Sequence, residues 1–256
     1  MQEFISLTRQ MTEIAGALAL QYYRTGFDVD HKSDDSPVTI ADREIERQVR
    51  DLIERTRPED GFLGEEHGTK PSQNGLMWVV DPIDGTKSFV AGRPTYGTLI
   101  ALWEGDAPLL GAIYQPNSQE LWLGVQGQKT TLNGREIETK KTTDVNRLRI
   151  GTTSPRQFSP HPELLAALQE TSDFFIWGGD CYLYGMLAFG GLDVVIETGL
   201  KAHDYAALPS IIGGAGGLCS DWRGGALTVT SEDTAVLCTA NKQVENHVLD
   251  LIQKHA

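Results

Sequence analysis

Cysteine is scarce in this 256-residue chain, and the three that occur, Cys181, Cys219 and Cys238, are odd in number and share no C-x-x-C spacing. Neither a disulfide framework nor a thiolate zinc site is suggested by that pattern. Long apolar runs are also missing. None approaches the ~20 residues of a membrane span, and the amphipathic N-terminus does not read as a signal peptide, so the expected location is the cytoplasm. Positive charge is in short supply: 22 Lys and Arg stand against 35 Asp and Glu, for a net charge of −13. That balance argues against nucleic acid or an anionic membrane as a principal partner, and part of it is what a metal site contributes when its cation is left out of the count. Repeats and low-complexity tracts are absent.

What remains is an ordinary globular composition, 40% hydrophobic with 27 glycines, which suits a turn-rich mixed α and β protein. The chain is long enough for one large domain or two closely packed halves. The stretch that organises it is Trp78-Val79-Val80-Asp81-Pro82-Ile83-Asp84-Gly85-Thr86. Its apolar lead-in from Met77 to Val80 reads as a buried strand, and Pro82 cannot continue a hydrogen-bonded ladder, so a turn is expected just after Asp81. Asp81 and Asp84 would converge across that turn, while Gly85 and Thr86 present backbone N–H groups at the start of a short helix. Carboxylates beside free N–H groups suit a hard cation and the phosphate it neutralises. The competing reading is a proline turn with two solvated aspartates. An EF-hand loop starting at Asp81 is excluded, because its twelfth position is Gly92 rather than Glu. The Asp-x-Asp-Gly-Thr of aspartyl-phosphate phosphatases is one residue tighter, which argues against a covalent nucleophile.

Elsewhere the pattern alternates helix and strand. Residues 2 to about 24 carry one apolar stripe of an amphipathic helix. The loop His31 to Val38, which includes Lys32, leads into a second helix at Thr39-Ile40-Ala41-Asp42, where Thr39 reads as an N-cap and Asp42 as a first-turn acid. Gly61 to Gly68 is a short strand breaking into a loop at Glu65-Glu66, with His67 a loop residue. Three apolar runs between Tyr96 and Val125 suggest an antiparallel meander, and Asn133-Gly134 signals a further hairpin. The polar stretch Thr139 to Arg147 is the expected seam between an N-terminal half, 1–140, and a C-terminal half, 141–256, forming one compact unit. The second half reads as strand 148–152, helix 162–170, strand 174–177, helix 181–189, strand 192–197, a helix from about Asp204 through Ile212, strand 234–240 and helix 241–254.

Glu65, Asp81, Asp84 and Asp204 each fall where a strand ends or a helix begins, and such termini gather on one rim of an α/β sheet. Four acids together need a counter-charge. With oxygen donors and no Cys/His set, Mg²⁺ is expected, two or more ions sharing a carboxylate, in a site able to activate water for in-line attack on a phosphate.

These residues resemble a known family. Gly64-Glu65-Glu66, then Trp78 to Thr86, then His203-Asp204-Tyr205-Ala206-Ala207 look like the signatures of the inositol monophosphatase family. The Lys32 loop and Val38 to Asp42 also fit, and Glu197 lies seven residues before Asp204 as in the family pattern. The resemblance implies a layered αβαβα sandwich, a homodimer, and metal-dependent hydrolysis of small phosphate monoesters with two or three Mg²⁺ ions, commonly sensitive to lithium. It also implies that Glu65, Asp81 and the Ile83 carbonyl hold one ion, and that Asp81, Asp84 and Asp204 hold a second, with Glu65 available to a weaker third. Gly85 and Thr86 would bind phosphate, and the Thr86 hydroxyl, linked to Asp42, would orient and deprotonate the attacking water.

The substrate is read from Trp177-Gly178-Gly179-Asp180-Cys181-Tyr182, where family members that act on inositol phosphate carry small residues. Gly179 and Asp180, with Glu197 and Asp204, would line the part of the pocket beyond the phosphate. Two carboxylates there, Asp180 and Glu197, suit an amine- or imidazole-bearing alcohol. Together with Asp84 to Phe89 and Thr95 to Leu99, this segment looks like the histidinol-phosphatase branch. The expected substrate is therefore L-histidinol phosphate. The alternatives are an inositol phosphate, a 3′-phosphorylated nucleotide, a regulatory binding protein on the same fold, and an Asp180 that merely caps its helix.

Overall fold

The computed structural model describes residues 1–26, 29–31, 37–230 and 234–256; the Lys32 loop, at residues 32–36, lies outside them. Helices α1 (Gln2–Tyr22) and α2 (Ile40–Thr56) are followed by α3 (Thr86–Val90), α4 (Pro162–Glu170), α5 (Tyr182–Ala188), α6 (Ala202–Tyr205), α7 (Leu208–Gly214) and α8 (Lys242–His255). The strands are β1 (Val29–His31), β2 (Pro37–Thr39), β3 (Gly61–Gly64), β4 (Thr69–Lys70), β5 (Leu76–Asp84), β6 (Gly97–Glu104), β7 (Ala107–Gln115), β8 (Glu120–Val125), β9 (Thr131–Leu132), β10 (Arg135–Glu136), β11 (Leu148–Thr152), β12 (Ser172–Trp177), β13 (Val194–Leu200), β14 (Leu218–Asp221) and β15 (Thr234–Thr239). Among the described residues no helix is long and apolar enough to cross a membrane.

β1 and β2 pair as a hairpin. The larger sheet runs β10-β9-β8-β7-β6-β5-β3-β4, and the smaller runs β12-β11-β13-β15-β14. Helices α1 and α2 cover one face of the larger sheet. Its other face packs on α5, α6 and α7, of which α5 and α7 also touch the smaller sheet, and α4 and α8 close the far side. The result is the expected five-layer αβαβα sandwich. Each interface is apolar: Ile45, Val49 and Ile53 of α2 meet Trp78 and Val80, whereas Trp103, Ile113 and Trp122 meet Leu187, Leu208 and Ile211 in the middle layer. A third cluster, including Leu164, Val194 and Val248, fills the outer layer.

Most short-range expectations match. The meander is β6, β7 and β8, each antiparallel to the next, and the Asn133-Gly134 hairpin is formed with both residues left-handed, at φ 49° and 80°. Several readings need correction or completion. The chain does not turn after Asp81: β5 continues through Pro82 to Asp84, with the register against β6 shifting between Asp81 and Asp84. A bulge tolerates the missing proline N–H, and the Thr98 hydroxyl holds it by donating to the Pro82 carbonyl at 2.8 Å. The single helix expected after Gly199 is two, α6 and α7. The strand expected to end at Glu197 runs on to Leu200 after its own irregularity. Finally, β14, which the sequence reading did not include, lies on the edge of the smaller sheet.

Candidate active site

The acids arrive from different layers. Glu65 follows β3, Asp81 and Asp84 flank the β5 bulge, and Asp204 stands at the third position of α6. Two of these segments are pinned close by. The Trp78 indole donates to the buried Asp60 carboxylate at 2.9 Å, which anchors the start of β5. The Trp103 indole donates to the Ala206 carbonyl at 2.9 Å, which ties α6 to the larger sheet. Asp204 also serves the start of its helix: from the third position of α6 its Oδ2 accepts the Lys201 N–H at 2.6 Å and holds the turn that opens the helix.

The structure brings these acids together in two overlapping groups. One ligating atom each from Asp81, Asp84 and Asp204 lie within 4.8 Å of one another, and so do atoms of Glu65, Asp81 and His203. Asp81 belongs to both. His203 was not among the ligand candidates read from the sequence; its Nε2 lies 3.6 Å from Asp204 Oδ1 and 4.0 Å from Glu65 Oε1. Only its neighbour's identity as an acid pointed toward it.

Burial and mutual repulsion shape the electrostatics. Burial pushes the Asp81 carboxyl well above the usual carboxylate range, and Glu65, Asp84 and Asp204 push it further. Asp84 is raised by burial and by the charges of Asp180 and Asp204. Asp204 is raised by burial, with His203 opposing. A cation would relieve each of these penalties. The donor set also fits a hard divalent ion: the oxygens are carboxylates, and Asp81 Oδ1 is buried with no hydrogen-bond partner among the described residues, as expected of an atom shaped for a ligand outside the protein.

Asp42 lies on α2 facing the same region. Its Oδ2 accepts from both the Thr39 N–H, at 2.8 Å, and the Thr39 hydroxyl, at 2.5 Å. Thr39 is the expected N-cap, and with Asp42 it completes a reciprocal capping box. Burial, only partly offset by those bonds, raises the Asp42 carboxyl to about 7, while its Oδ1 is buried without a partner among the described residues. The expected Asp42–Thr86 link is not formed. The Thr86 hydroxyl donates instead to the Ile83 carbonyl at 3.2 Å, because the bulge turns that carbonyl toward the first residue of α3.

Gly85 precedes α3 with φ 81°, a conformation that favours glycine. A Cβ there would lie 2.5 Å from Asp180 Cγ, so Asp180 forms one flank of the Gly85-Thr86 turn. Asp180 itself has φ 50°, and its Oδ2 accepts the Thr95 hydroxyl at 2.8 Å. No side-chain cap is made at the start of α5, so Asp180 is not that helix's cap. Gly179, buried and at φ 151°, packs against Leu183 and positions the loop. Glu197 is farther in, 3% exposed: its Oε1 accepts the Thr153 N–H at 2.9 Å and its Oε2 the Tyr184 hydroxyl at 2.7 Å. Asp180 thus flanks the turn directly, whereas Glu197 acts from behind it.

Sequence reasoning also passed over Glu46. This fully buried acid of α2 accepts the backbone N–H groups of Glu66 at 2.6 Å and His67 at 2.7 Å, and lies 3.2 Å from His67 Nδ1. It fixes the loop that presents Glu65. A signal was available: 42, 46, 49 and 53 follow the helical i, i+4, i+7, i+11 spacing, which puts Glu46 on the inward stripe with Asp42, Val49 and Ile53.

Acids gathered at strand ends around a partnerless carboxylate oxygen, beside a left-handed glycine turn in a five-layer sandwich, mark a hydrolase that removes phosphate with the help of metal. A model of the inositol monophosphatase family matches residues 1–256, and the chain belongs to that family. It is 38% identical over 244 residues to a chloroplast bifunctional phosphatase, IMPL2, of Arabidopsis thaliana, covering 94% of this chain and 70% of that one. It is 34% identical to a histidinol-phosphatase of Chlorobaculum parvum, over 97% of this chain and 96% of the other. The solved inositol monophosphatase of Zymomonas mobilis superimposes with a TM-score of 0.89 at 37% identity, over 98% of both chains. The chain is a phosphatase acting on small phosphate monoesters, in a family that is generally metal-dependent.

Proposed function

We propose that the chain hydrolyses L-histidinol phosphate to L-histidinol and phosphate, with Mg²⁺ as its cation, two or three ions per site, acting as a homodimer. The observation that carries the substrate is Asp180: its carboxylate is held by Thr95 against the Gly85 turn and is not used as a helix cap. A negative charge on the flank of a phosphate-binding turn repels a bare polyol phosphate less usefully than it attracts a cationic amine or imidazolium. The 34% identical histidinol-phosphatase supports the same reading.

Glu65, Asp81, the Ile83 carbonyl, Asp84 and Asp204 would hold the cations, with Asp81 shared. When bound, Mg²⁺ supplies neutralisation of the phosphate charge and water of lowered pKa. The chain's own groups do the rest. Gly85 and Thr86 orient the phosphate through their N–H groups. Asp42, raised to about 7, is suited to take a proton near neutral pH, and the Thr86 hydroxyl would relay it once released from the Ile83 carbonyl to which it donates. Glu197, held by Thr153 and Tyr184 and close enough to Asp180 for their charges to interact, would add negative potential to the same end of the pocket.

Phosphate release from L-histidinol phosphate and from myo-inositol 1-phosphate, measured side by side with Mg²⁺ and with a chelator, tests this. A large preference for histidinol phosphate is expected. The reverse preference would favour the inositol phosphate reading, which the 37% identical Zymomonas mobilis protein supports.

A further inference from the structure

Cys219 and Cys238 stand directly opposite each other on β14 and β15, with their Sγ atoms 2.8 Å apart in a thiol–thiol hydrogen bond. Residues opposed in this way on antiparallel strands have Cα atoms ~4.5–5.5 Å apart and side chains on one face, inside the ~4.4–6.8 Å range a disulfide requires. The two differ in access. Cys219 is on the edge strand and partly exposed, whereas Cys238 is on its inner neighbour and fully buried. Burial and the hydrogen bond to Cys219 push the Cys238 thiol up. The third cysteine, Cys181, has no such partner; it is buried at the start of α5, against Gly97 of β6.

We infer that Cys219 and Cys238 form a reversible dithiol–disulfide site that is separate from the phosphatase centre. The partly exposed Cys219 loses its proton and attacks one sulfur of a small disulfide such as oxidised glutathione, which is split into one glutathione thiol and a mixed disulfide on Cys219. Cys238 then attacks the Cys219 sulfur, its proton passing to the departing sulfur, which leaves as the second glutathione thiol. Two protein thiols are oxidised, one glutathione disulfide is reduced to two thiols, and one S–S bond replaces another. The product links the edge strand β14 to β15 and closes a ring over residues 219–238. The pair also neighbours Tyr184, whose hydroxyl donates to Glu197 at 2.7 Å.

The full-length protein is incubated with oxidised glutathione or with dithiothreitol, alkylated, denatured, and analysed by intact mass and peptide mapping. After oxidation two of the three cysteines should resist alkylation, with a loss of two hydrogens and a 219–238 cross-linked peptide, and dithiothreitol should reverse it. The thermal midpoint of the oxidised protein should rise by several degrees, and the rise should vanish in Cys219→Ala. Three alkylated cysteines after oxidation, a lasting glutathione adduct on Cys219, or a cross-link through Cys181 or between chains would overturn the assignment. The wild-type peptide map decides the matter even if the variant folds poorly.

Discussion

The backbone N–H of Cys181 donates to Asp84 Oδ2 at 2.5 Å, across 97 residues of chain. The acid assigned to a cation therefore also fastens the loop that carries Asp180 to the turn that carries Gly85. Two halves of the sequence meet at one carboxylate.

Asp84→Asn keeps an oxygen to accept that N–H but removes a charge. Phosphate release should fall by more than the ~10- to 100-fold typical of losing an outer partner of a metal ligand, with the circular dichroism spectrum unchanged. The chelated variant should melt higher than chelated wild type, since one of the crowded acids is gone. Full activity would remove Asp84 from the cation site.

Glu46→Gln leaves the volume of the side chain and weakens its hold on the Glu66 and His67 N–H groups. Half-saturation in Mg²⁺ should rise roughly 10-fold, while turnover at saturating Mg²⁺ is largely retained. An equal fall in turnover at all Mg²⁺ concentrations would mean that Glu46 supports the fold and not the ion. Gly64 is bound to the same contact, because any Cβ there would enter the Glu46 carboxylate; Gly64→Ala should copy the Glu46 phenotype.

Asp180→Asn tests recognition. The KM for L-histidinol phosphate should rise roughly 10-fold or more, in line with the ~1.5–3 kcal/mol of a hydrogen bond to a charged group, and hydrolysis of myo-inositol 1-phosphate should be unchanged or improved. Equal effects on both substrates would reduce Asp180 to a loop support.

The metal-free protein should lose stability as pH rises. Asp42 has an ordinary value of 3.8 and is raised to about 7, and Asp81 and Asp84 are raised as well. A raised carboxyl binds its proton more tightly in the folded chain, so its contribution is complete below about 4 and is lost as pH climbs through the folded value near 7. With chelator, the thermal midpoint should be higher at pH 5 than at pH 8. Added Mg²⁺ should raise it more at pH 8, where the carboxylates are charged. A chelated midpoint that climbs from pH 5 to pH 8 would contradict the repulsion.

Much of this was legible in local sequence. Apolar runs bounded by turns gave the meander, Asn133-Gly134 gave its hairpin, and Thr39 gave the start of α2, because each signal acts within a few residues. The acids were legible because each fell where a strand ends or a helix begins. What local pattern could not show was contact across layers. Pro82 suggested a strand end only because sequence does not reveal a bulge held by Thr98. Glu46 looked like one more charge on a charged helix until the 65–67 loop came to lie on it. His203 and the Thr95–Asp180 pair depend on segments that meet only when the middle layer docks.

That middle layer has a consequence for biosynthesis. The inner face of the larger sheet, with Trp103 and Trp122, emerges from the ribosome well before α5 to α7, which must cover it. At ~5–20 residues per second the nascent chain spends several seconds with that surface open. Its natural occupant in that interval is a chaperone, and chains stalled before residue 182 should be found bound to one or aggregated.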